Sequence, residues 1–492
     1  MAPPEPVDIP PCTDDHDDRP ATGSSTTSST PSCQGDGFRR VASTAGVTRS
    51  PFDLPVPPRA GAGTDHGREG KCLVTQDDPP VSEQGVASSM LFTPEFSRDP
   101  NPTYARLRVE HPICPVTSPR FNSFFITRYD DVKVALTDPR LSKDLYGPSE
   151  AYLKIFGPNS AALNKNMLHS DPPEHTRLRR LVSQAFTPRR VEALRPRTTE
   201  VATRLVDAFA PRGSAELMHE FALPLPVTVI SELLGVPEAE REGFFELTDV
   251  IRTRGQAGRG SEEDRSAVQE AQRAMADYLG GLIARKREHP ADDLLSALVA
   301  ARDEGSMLSE RELVSSAFLL LFAGHQTTAD FLGNAVVALL THPGQLAMLR
   351  QEPELLPPAV EELLRFDGSV PVASPRIALE DVEYRGVRIP AGSIVTIVLA
   401  AANHDPEHFA SSDELELTRH HVPHVAFGHG VHFCLGVSLA RMEAEIALST
   451  LLRRLPDLAL AVDPEQLRRP PAASPFRGLL ELPVTFSPRQ VA

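Results

Sequence analysis

The sequence Phe427-Gly-His-Gly-Val-His-Phe-Cys-Leu-Gly436 has three glycines around a single cysteine. Its glycines allow backbone conformations that are closed to other residues, and they let a flat ligand approach the loop closely. Its one cysteine, Cys434, is followed directly by a helical pattern over residues 437–455. Cys434 would therefore lie at a helix N-terminus, where free N–H groups and the helix dipole favour a thiolate. A thiolate held in such a loop is a good ligand for haem iron.

Two other interpretations of this stretch start from the same residues. A lone cysteine is commonly a small buried hydrophobic side chain. Alternatively, a zinc ion could be bound by a cluster of histidines with the cysteine, although its spacing is irregular and no second cysteine pair is present. The members of that cluster are His424, His429, His432 and Cys434.

The whole pattern, Phe-Gly-x-Gly-x-His-x-Cys-x-Gly, resembles the haem-binding signature of the cytochrome P-450 superfamily in its soluble bacterial form. The resemblance implies a mainly α fold with small β-sheets and a long central helix over the haem. The cofactor is expected to be haem b (iron protoporphyrin IX), with Cys434 as the ligand of its iron. Phe427 and Gly436, at the two ends of the loop, are expected to contact the haem.

Composition excludes several other classes of protein. The formal net charge of −16 over 492 residues argues against a nucleic-acid-binding protein. The five cysteines are scattered and odd in number, which favours a reducing cytoplasm over a disulfide framework. No apolar run reaches the roughly 18 residues needed to span a bilayer. We therefore expect a soluble, cytoplasmic monomer without a membrane or nucleic-acid partner.

The N-terminal segment, residues 1–89, is rich in Pro, Ser, Thr, Gly and Asp and has almost no hydrophobic periodicity. Such a segment buries too little apolar surface to offset the entropy of ordering, and it is predicted to be disordered. One hypothesis is that translation starts at Met90, and a genuine flexible tail is the alternative. Residues 90–492 are predicted to form the haem domain.

The segment Asp171-Pro-Pro-Glu174 predicts the start of a helix, with Asp171 as its N-cap. The helix sets His175 and Arg179 one turn apart on one face, which suits an anion site or simply a solvated basic face. The resemblance places both at positions that bind a haem propionate. It gives the same role to Arg376 and His432.

The longest predicted helix begins at a capping box, Ser309-Glu-Arg-Glu312, and continues to Thr341. Its middle is apolar all round, so the helix is expected to be buried. Directly afterwards comes the polar stretch Gly324-His-Gln-Thr-Thr328, which a plain core helix would avoid. A polar, locally opened helix segment in a dry core suggests an oxygen-binding groove and a proton relay.

The family pattern at this groove is Ala-Gly-x-Asp/Glu-Thr, and Gly324 matches its glycine. Thr327 matches the alcohol that acts on bound oxygen, whereas Gln326 replaces the acid. An amide can orient water but cannot cycle a proton, so we expect altered proton delivery, with His325 as a candidate substitute. The resemblance also predicts three pocket-lining residues, namely Ala323, Val372 and Ala373.

The pair Glu362 and Arg365 lies on the next predicted helix, where an i,i+3 pair is by itself only a weak ion pair. It matches the Glu-x-x-Arg motif that braces the haem-side core of the family. The third member of that network is usually Arg or His, but the spacing puts Glu414 there. His408 or Arg419 is a candidate replacement.

The resemblance implies a monooxygenase that inserts one atom of dioxygen into a small organic substrate. That substrate is expected to be a natural product of secondary metabolism. Electrons are expected from an external ferredoxin and ferredoxin reductase. Arg177 and Arg180 are candidates for docking an acidic partner, or else ordinary surface charges. The alternatives are oxidative coupling or tailoring of a carrier-bound substrate without oxygen insertion, and a non-catalytic haem-binding protein.

Overall fold

The computed structural model describes residues 86–87, 91, 93–117, 122–144, 163, 165–255, 261–303, 306–419, 423–471 and 474–489. The predicted disordered segment, residues 1–89, lies outside this part of the chain except for Val86–Ala87, which form strand β1. The start of the haem domain at residue 90 therefore stays a prediction.

Helices account for most of the described chain. In chain order they are α1 Pro94–Arg98, α2 Asn101–Glu110, α3 Tyr129–Thr137, α4 Glu174–Ala185, α5 Pro188–Ala193, α6 Arg195–Phe209, α7 Pro224–Leu234, α8 Arg241–Gly255, α9 Glu262–Glu288, α10 Leu294–Ala300, α11 Glu310–Thr341, α12 Pro343–Gln351, α13 Leu356–Asp367, α14 Leu399–Asn403 and α15 Val437–Arg454.

The 32-residue helix α11 runs through the main core, as its apolar sequence predicts. Its capping box is formed as predicted, because the Ser309 hydroxyl accepts from the Glu312 N–H while the Glu312 carboxylate accepts from the Ser309 N–H at 2.7 Å. The helix ends at Thr341, where His342 and Pro343 begin the next helix. Burial on nearly all sides makes α11 the fixed element against which the site is built.

In the part of the chain that the structure describes, the strands form four small sheets. They are β2 Ile113–Thr117, β3 Asn122–Ile126, β4 Leu141–Ser142, β5 Ser214–Glu216, β6 Arg302–Asp303, β7 Ser306–Met307, β8 Arg376–Ala378, β9 Val382–Tyr384, β10 Val387–Ile389, β11 Ile394–Ile397, β12 Ala459–Leu460 and β13 Pro483–Thr485. The largest sheet has the order β1-β2-β3-β11-β8-β4.

The large sheet joins distant parts of the chain. Strand β11 pairs in parallel with β3, with Ile397 opposite Ile126, and antiparallel with β8. In a separate three-stranded sheet, β13 pairs with β12 and with β5, which is also distant in the chain. A second hydrophobic core lies on this sheet together with α3 and α14. Among the described helices, we find none whose length and apolar character would let it cross a membrane.

Candidate functional site

The loop around Cys434 has the tight backbone that its glycines predict. The Cys434 N–H donates to the Phe427 carbonyl at 3.0 Å, which closes the loop on itself. Gly428 and Gly430 have φ of 74° and 75°, in the left-handed region that favours glycine. A Cβ on Gly430 would lie 2.7 Å from Cγ2 of Thr137 on α3, so a larger residue would push the loop away from that helix.

Cys434 lies just before α15, whose N-cap is Gly436. Burial raises the pKa of its thiol, and the Gly436 N–H together with Arg179 and Arg441 lowers it in part. The balance is upward, so the helix start alone does not favour a thiolate here, contrary to the sequence prediction. A metal cation bound to the sulfur would supply the missing charge, since coordination deprotonates a thiol.

The zinc alternative is wrong for the described residues. They contain no group of three or more His, Cys, Asp or Glu side chains that could hold a metal ion. His424 instead faces Glu361, with Nε2 and Oε2 3.3 Å apart. The ring of His432 packs on that of His175, with ring centroids 4.2 Å apart.

Beside the cysteine loop lies a cluster of basic side chains, which we call the basic cluster. Four of its members were predicted from the sequence and come from three separate elements, α4, β8 and the cysteine loop. The structure adds a fifth, Lys143, which follows β4 and is 4% exposed. Four of the members lie close enough to lower the pKa of another member, and all four lower that of His432. The cluster consists of Lys143, His175, Arg179, Arg376 and His432.

Burial and mutual repulsion disfavour positive charge throughout this cluster. Burial lowers the pKa of His432 to about 2, with Lys143 and His175 as the next causes. It lowers the pKa of Lys143 to about 7, where Arg376 adds repulsion and Asp171 opposes the shift. It lowers the pKa of Arg376 to about 10. An anion placed among these groups would oppose each of these shifts, because an opposite charge favours the protonated form of a basic group.

Several polar atoms of the basic cluster are buried without a hydrogen-bond partner among the described residues. They are both ring nitrogens of His175 and Nε of Arg376. Buried polar groups in native proteins are nearly always hydrogen-bonded, so donors left over in this way indicate a ligand with acceptor oxygens. The two carboxylates of a porphyrin fit a cluster of this charge and donor content.

Asp171 is not the N-cap of α4, which begins at Glu174 and has no side-chain cap. Its carboxylate accepts instead from the backbone N–H of Lys143 at 3.0 Å and from the hydroxyl of Ser142. Asp171 therefore ties β4 to the start of α4 and contributes a negative charge at the edge of the basic cluster.

On α11, the predicted groove has one face that is not packed. Ala323 is exposed and Thr327 is half-buried, although the helix is otherwise buried nearly all round. The Thr327 hydroxyl donates to the Ala323 carbonyl at 2.8 Å. Gly324 lies against Ile230 of α7, where an added Cβ would be 3.1 Å away. Gln326 is buried and faces Asp330.

The predicted pocket residues after α13 lie at the edge of the large sheet. The Ala373 N–H donates to the Ile397 carbonyl of β11 at 2.9 Å. Val372 packs against the small core formed by α1, α2 and β2. Their assignment to a substrate pocket remains a prediction.

The bracing network contains Arg419 rather than Glu414. Glu362 and Arg365 form a buried pair at 2.7 Å, and Nε of Arg419 lies 3.1 Å from the Glu362 carboxylate. Glu414 contributes only its backbone carbonyl, which accepts from both arginines. The departure inferred at this position is therefore wrong, and the candidate replacement Arg419 is confirmed as the second cation of the network. Glu361, which by spacing alone could also have paired with Arg365, pairs instead with Arg441.

Three ionisable residues escaped the sequence analysis. Lys143 and Asp330 sit in short polar stretches that carry no motif. Glu443 lies on α15, fully buried, and burial raises its pKa to about 8. Neither of its oxygens makes a well-formed hydrogen bond among the described residues, although the Thr328 hydroxyl is close enough to lower the pKa slightly. Their importance comes from burial, which no local pattern reports.

Arg177, a candidate for partner docking, is held within the protein. Its guanidinium pairs with Glu174 at 2.6 Å and also with Glu312 at the start of α11. It therefore ties α4 to the central helix. Arg180 is exposed on α4, and its role in docking stays a prediction.

The fold and the cysteine loop define a class: the chain belongs to the cytochrome P450 family and is an oxidoreductase. Residues 261–471 match the sequence model described as Cytochrome P450. The fold-class prediction is thereby confirmed, and the family implies a haem cofactor.

Three similar proteins illustrate the match. Cytochrome P450 107B1 of Saccharopolyspora erythraea is 45% identical over 81% of this chain and 98% of the relative. The cytochrome P450 monooxygenase PikC of Streptomyces venezuelae is 46% identical, over 84% of this chain and 96% of its own. The solved structure of PksS, the cytochrome P450 of the Bacillus subtilis bacillaene polyketide synthase, is 39% identical with a TM-score of 0.74 and covers 80% of this chain and 98% of PksS.

Proposed function

We propose that the protein is a haem-thiolate monooxygenase that inserts one oxygen atom from dioxygen into a small natural-product-like molecule. The observation that carries this proposal is the pairing of Cys434, in its closed glycine loop, with a basic cluster whose buried donors lack an acceptor. When bound, haem b would supply the activation of dioxygen, which a thiolate ligand favours by pushing electron density toward the O–O bond.

The residues around the cofactor have separable roles in this proposal. Cys434 would ligate the iron, and the loop ends Phe427 and Gly436 would border the porphyrin. The basic cluster would bind the two propionates, with Lys143 as a member that the sequence did not indicate. Because the donors of His175 and Arg376 are already buried, the cofactor would meet them without a further cost of desolvation.

On the opposite side, the open face of α11 would border the bound oxygen. Ala323 and Thr327 form that face, and the Thr327 hydroxyl is oriented by the carbonyl one turn earlier. This hydroxyl could hold a proton near the oxygen, and the close contact of Gly324 with α7 would keep the helix in place. Val372 and Ala373 would line the substrate side.

A natural-product substrate is supported by the relatives, among them a monooxygenase of Streptomyces and the cytochrome P450 of a polyketide synthase. We propose an external ferredoxin and its reductase as the electron source. Val431 and Phe433, exposed on the cysteine loop, would offer an apolar contact for that partner. We propose a cytoplasmic location, which the scattered, odd-numbered cysteines of the sequence favour.

The test is the absorption spectrum of the reduced protein with carbon monoxide, recorded for the wild type, Cys434→Ser and Cys114→Ser. Cys114 is the matched control because it is also a cysteine and is fully buried in a different part of the fold, the core around β2. The proposal expects the red-shifted Soret band of thiolate ligation in the wild type and in Cys114→Ser, and its loss in Cys434→Ser. A haem spectrum without that band in the wild type would refute thiolate ligation.

Oxygen insertion is tested separately with ¹⁸O-labelled dioxygen, a surrogate ferredoxin and its reductase. One labelled oxygen atom in the product of a substrate found by screening is the expected result. A product that carries no label would instead support oxidative coupling and would exclude insertion for that substrate.

A further inference from the structure

Position 326 of the central helix holds an amide where the family pattern has an acid, and the structure shows what that amide does. Nε2 of Gln326 donates to Oδ2 of Asp330 at 2.8 Å, one helical turn further on. The two side chains are 3% and 4% exposed. A carboxyl group therefore remains at this point of the helix, but it belongs to a different residue.

The hydrogen bond to Asp330 sets the orientation of the Gln326 amide. A flipped amide would turn its carbonyl oxygen toward the carboxyl oxygen, and two acceptors would then face each other. With Nε2 committed, Oε1 of Gln326 is left as a pure acceptor, buried and without a hydrogen-bond partner among the described residues. A buried acceptor left unpaired costs about 1–3 kcal/mol, so the site favours a donor such as water at Oε1.

Asp330 is held in turn by the C-terminal segment. A Cβ on Gly478 would lie 2.1 Å from Oδ1 of Asp330, so the carboxyl group packs directly on the backbone there. The Gly478 carbonyl accepts from Arg469 at 3.2 Å, and Arg469 also pairs with Asp367 at the end of α13. The Asp330 carboxyl group is thus held against position 478, where only a glycine leaves room for it.

We propose that the acid of the oxygen-side relay is divided between two residues, with Asp330 as a positioning residue that acts through Gln326. An acid at position 326 would provide both the acceptor oxygen and the carboxyl group from a single side chain. Here Oε1 of Gln326 presents the acceptor, and Asp330 supplies the carboxyl group that orients it. A water held at Oε1, on the residue that directly precedes Thr327 in the chain, would deliver its proton toward the oxygen side and be re-protonated from solvent. This inference rests on the proposed function.

The opposing interpretation is that the pair only stabilises the helix, as exposed side-chain pairs one turn apart do by about 0.2–0.5 kcal/mol. The two interpretations predict different results when the amide of position 326 and the carboxyl group of position 330 are exchanged. A Gln326→Glu/Asp330→Asn double variant keeps one carboxyl and one amide group in contact but puts the acid at position 326. The single variants Asp330→Asn and Gln326→Glu leave two amides or two carboxyl groups facing each other.

The experiment compares these three variants with the wild type as haem-loaded proteins. Ser316→Ala, a buried polar residue of the same helix, is the matched control. The first readout needs no turnover: the infrared stretching band of carbon monoxide bound to the reduced protein reports the polarity beside the oxygen site. The second is the hydrogen peroxide released per NADPH consumed with a surrogate ferredoxin and reductase. The melting temperature of each variant is recorded alongside.

We expect Asp330→Asn to shift the carbon monoxide band and to raise the peroxide yield. Positioned proton transfer contributes about 10²–10⁴-fold, so the ratio of product to peroxide should fall by roughly tenfold or more once a substrate is known. The double variant should return both readouts toward the wild type, and Ser316→Ala should change neither. Gly478→Ala, which alters no ionisable group, should act like Asp330→Asn by displacing the carboxyl group.

The proposal is overturned if Asp330→Asn and Gly478→Ala lower the melting temperature but leave the band and the peroxide yield unchanged. It is also overturned if the double variant is as stable as the wild type and yet behaves like Asp330→Asn. Both results would leave the Soret band of thiolate ligation intact. A failure of this inference is therefore distinguishable from a failure of the proposed function.

Discussion

Replacing Glu443 with glutamine should stabilise the protein at pH 7 but hardly at pH 5. This side chain is fully buried on α15, and burial raises its pKa from the ordinary 4.5 to about 8. Between these two pH values the unfolded chain gives up the proton, whereas the folded protein keeps it. The free energy of unfolding therefore falls as the pH rises from 4.5 to 8.

The size of the effect follows from the width of that pH range. Each pH unit above 4.5 costs about 1.4 kcal/mol, so the carboxyl group costs roughly 3 kcal/mol at pH 7 and less than about 1 kcal/mol at pH 5. A glutamine has nearly the same shape and no proton to release. The variant should therefore gain roughly 3 kcal/mol at pH 7 relative to the wild type.

Urea unfolding of the haem-loaded protein at pH 5, 7 and 8 measures this gain. Glu445→Gln is the matched control, since Glu445 is two residues further on the same helix but is 26% exposed and lies beside Arg195. A gain for Glu443→Gln that is equal at pH 5 and pH 7, or absent at both, would refute the reasoning, because it would mean that the folded protein does not hold the proton.

Three further outcomes are expected. Arg419→Leu should destabilise the protein by about 3 kcal/mol in urea unfolding, because the buried Glu362 then keeps only one of its two cationic partners, Arg365; an unchanged midpoint would contradict the network. Gly280→Ala should raise the free energy of unfolding by up to about 1 kcal/mol, because the added Cβ meets nothing within 4 Å in the middle of α9; a loss would show hidden crowding. Lys143→Met should release haem roughly tenfold faster to an acceptor globin, since a charge-assisted hydrogen bond contributes about 1.5–3 kcal/mol; an unchanged rate would remove Lys143 from the propionate site.

The parts of the fold that could be predicted are those encoded locally. The capping box at Ser309 and the apolar run after it define α11 within a single stretch of chain, and the structure reproduces both ends of that helix. The cysteine loop is equally local, because its glycines are required by the positive φ of Gly428 and Gly430.

The errors and omissions arise where distant parts of the chain compete for one side chain. Asp171 has the right neighbours for an N-cap, but its carboxylate is taken by the segment at Ser142 and Lys143, about thirty residues earlier. Glu414 was placed in the bracing network by spacing alone, and of the two candidate replacements, His408 and Arg419, only the structure shows that Arg419 reaches Glu362. Asp330 carries no signal of its own until its contact with Gln326 is seen.

The parallel pairing of β3 with β11 also bears on how the protein is made. Ile126 meets Ile397, a partner about 270 residues later in the chain, so the large sheet cannot close while the ribosome is still translating the region between them. At about 5–20 residues per second, that wait lasts roughly 15 to 50 s. During this wait, the apolar edge of β3 has no partner from β11 and is exposed to other nascent chains. The growth temperature and the supply of chaperones should therefore influence the yield of folded protein more than its final stability does.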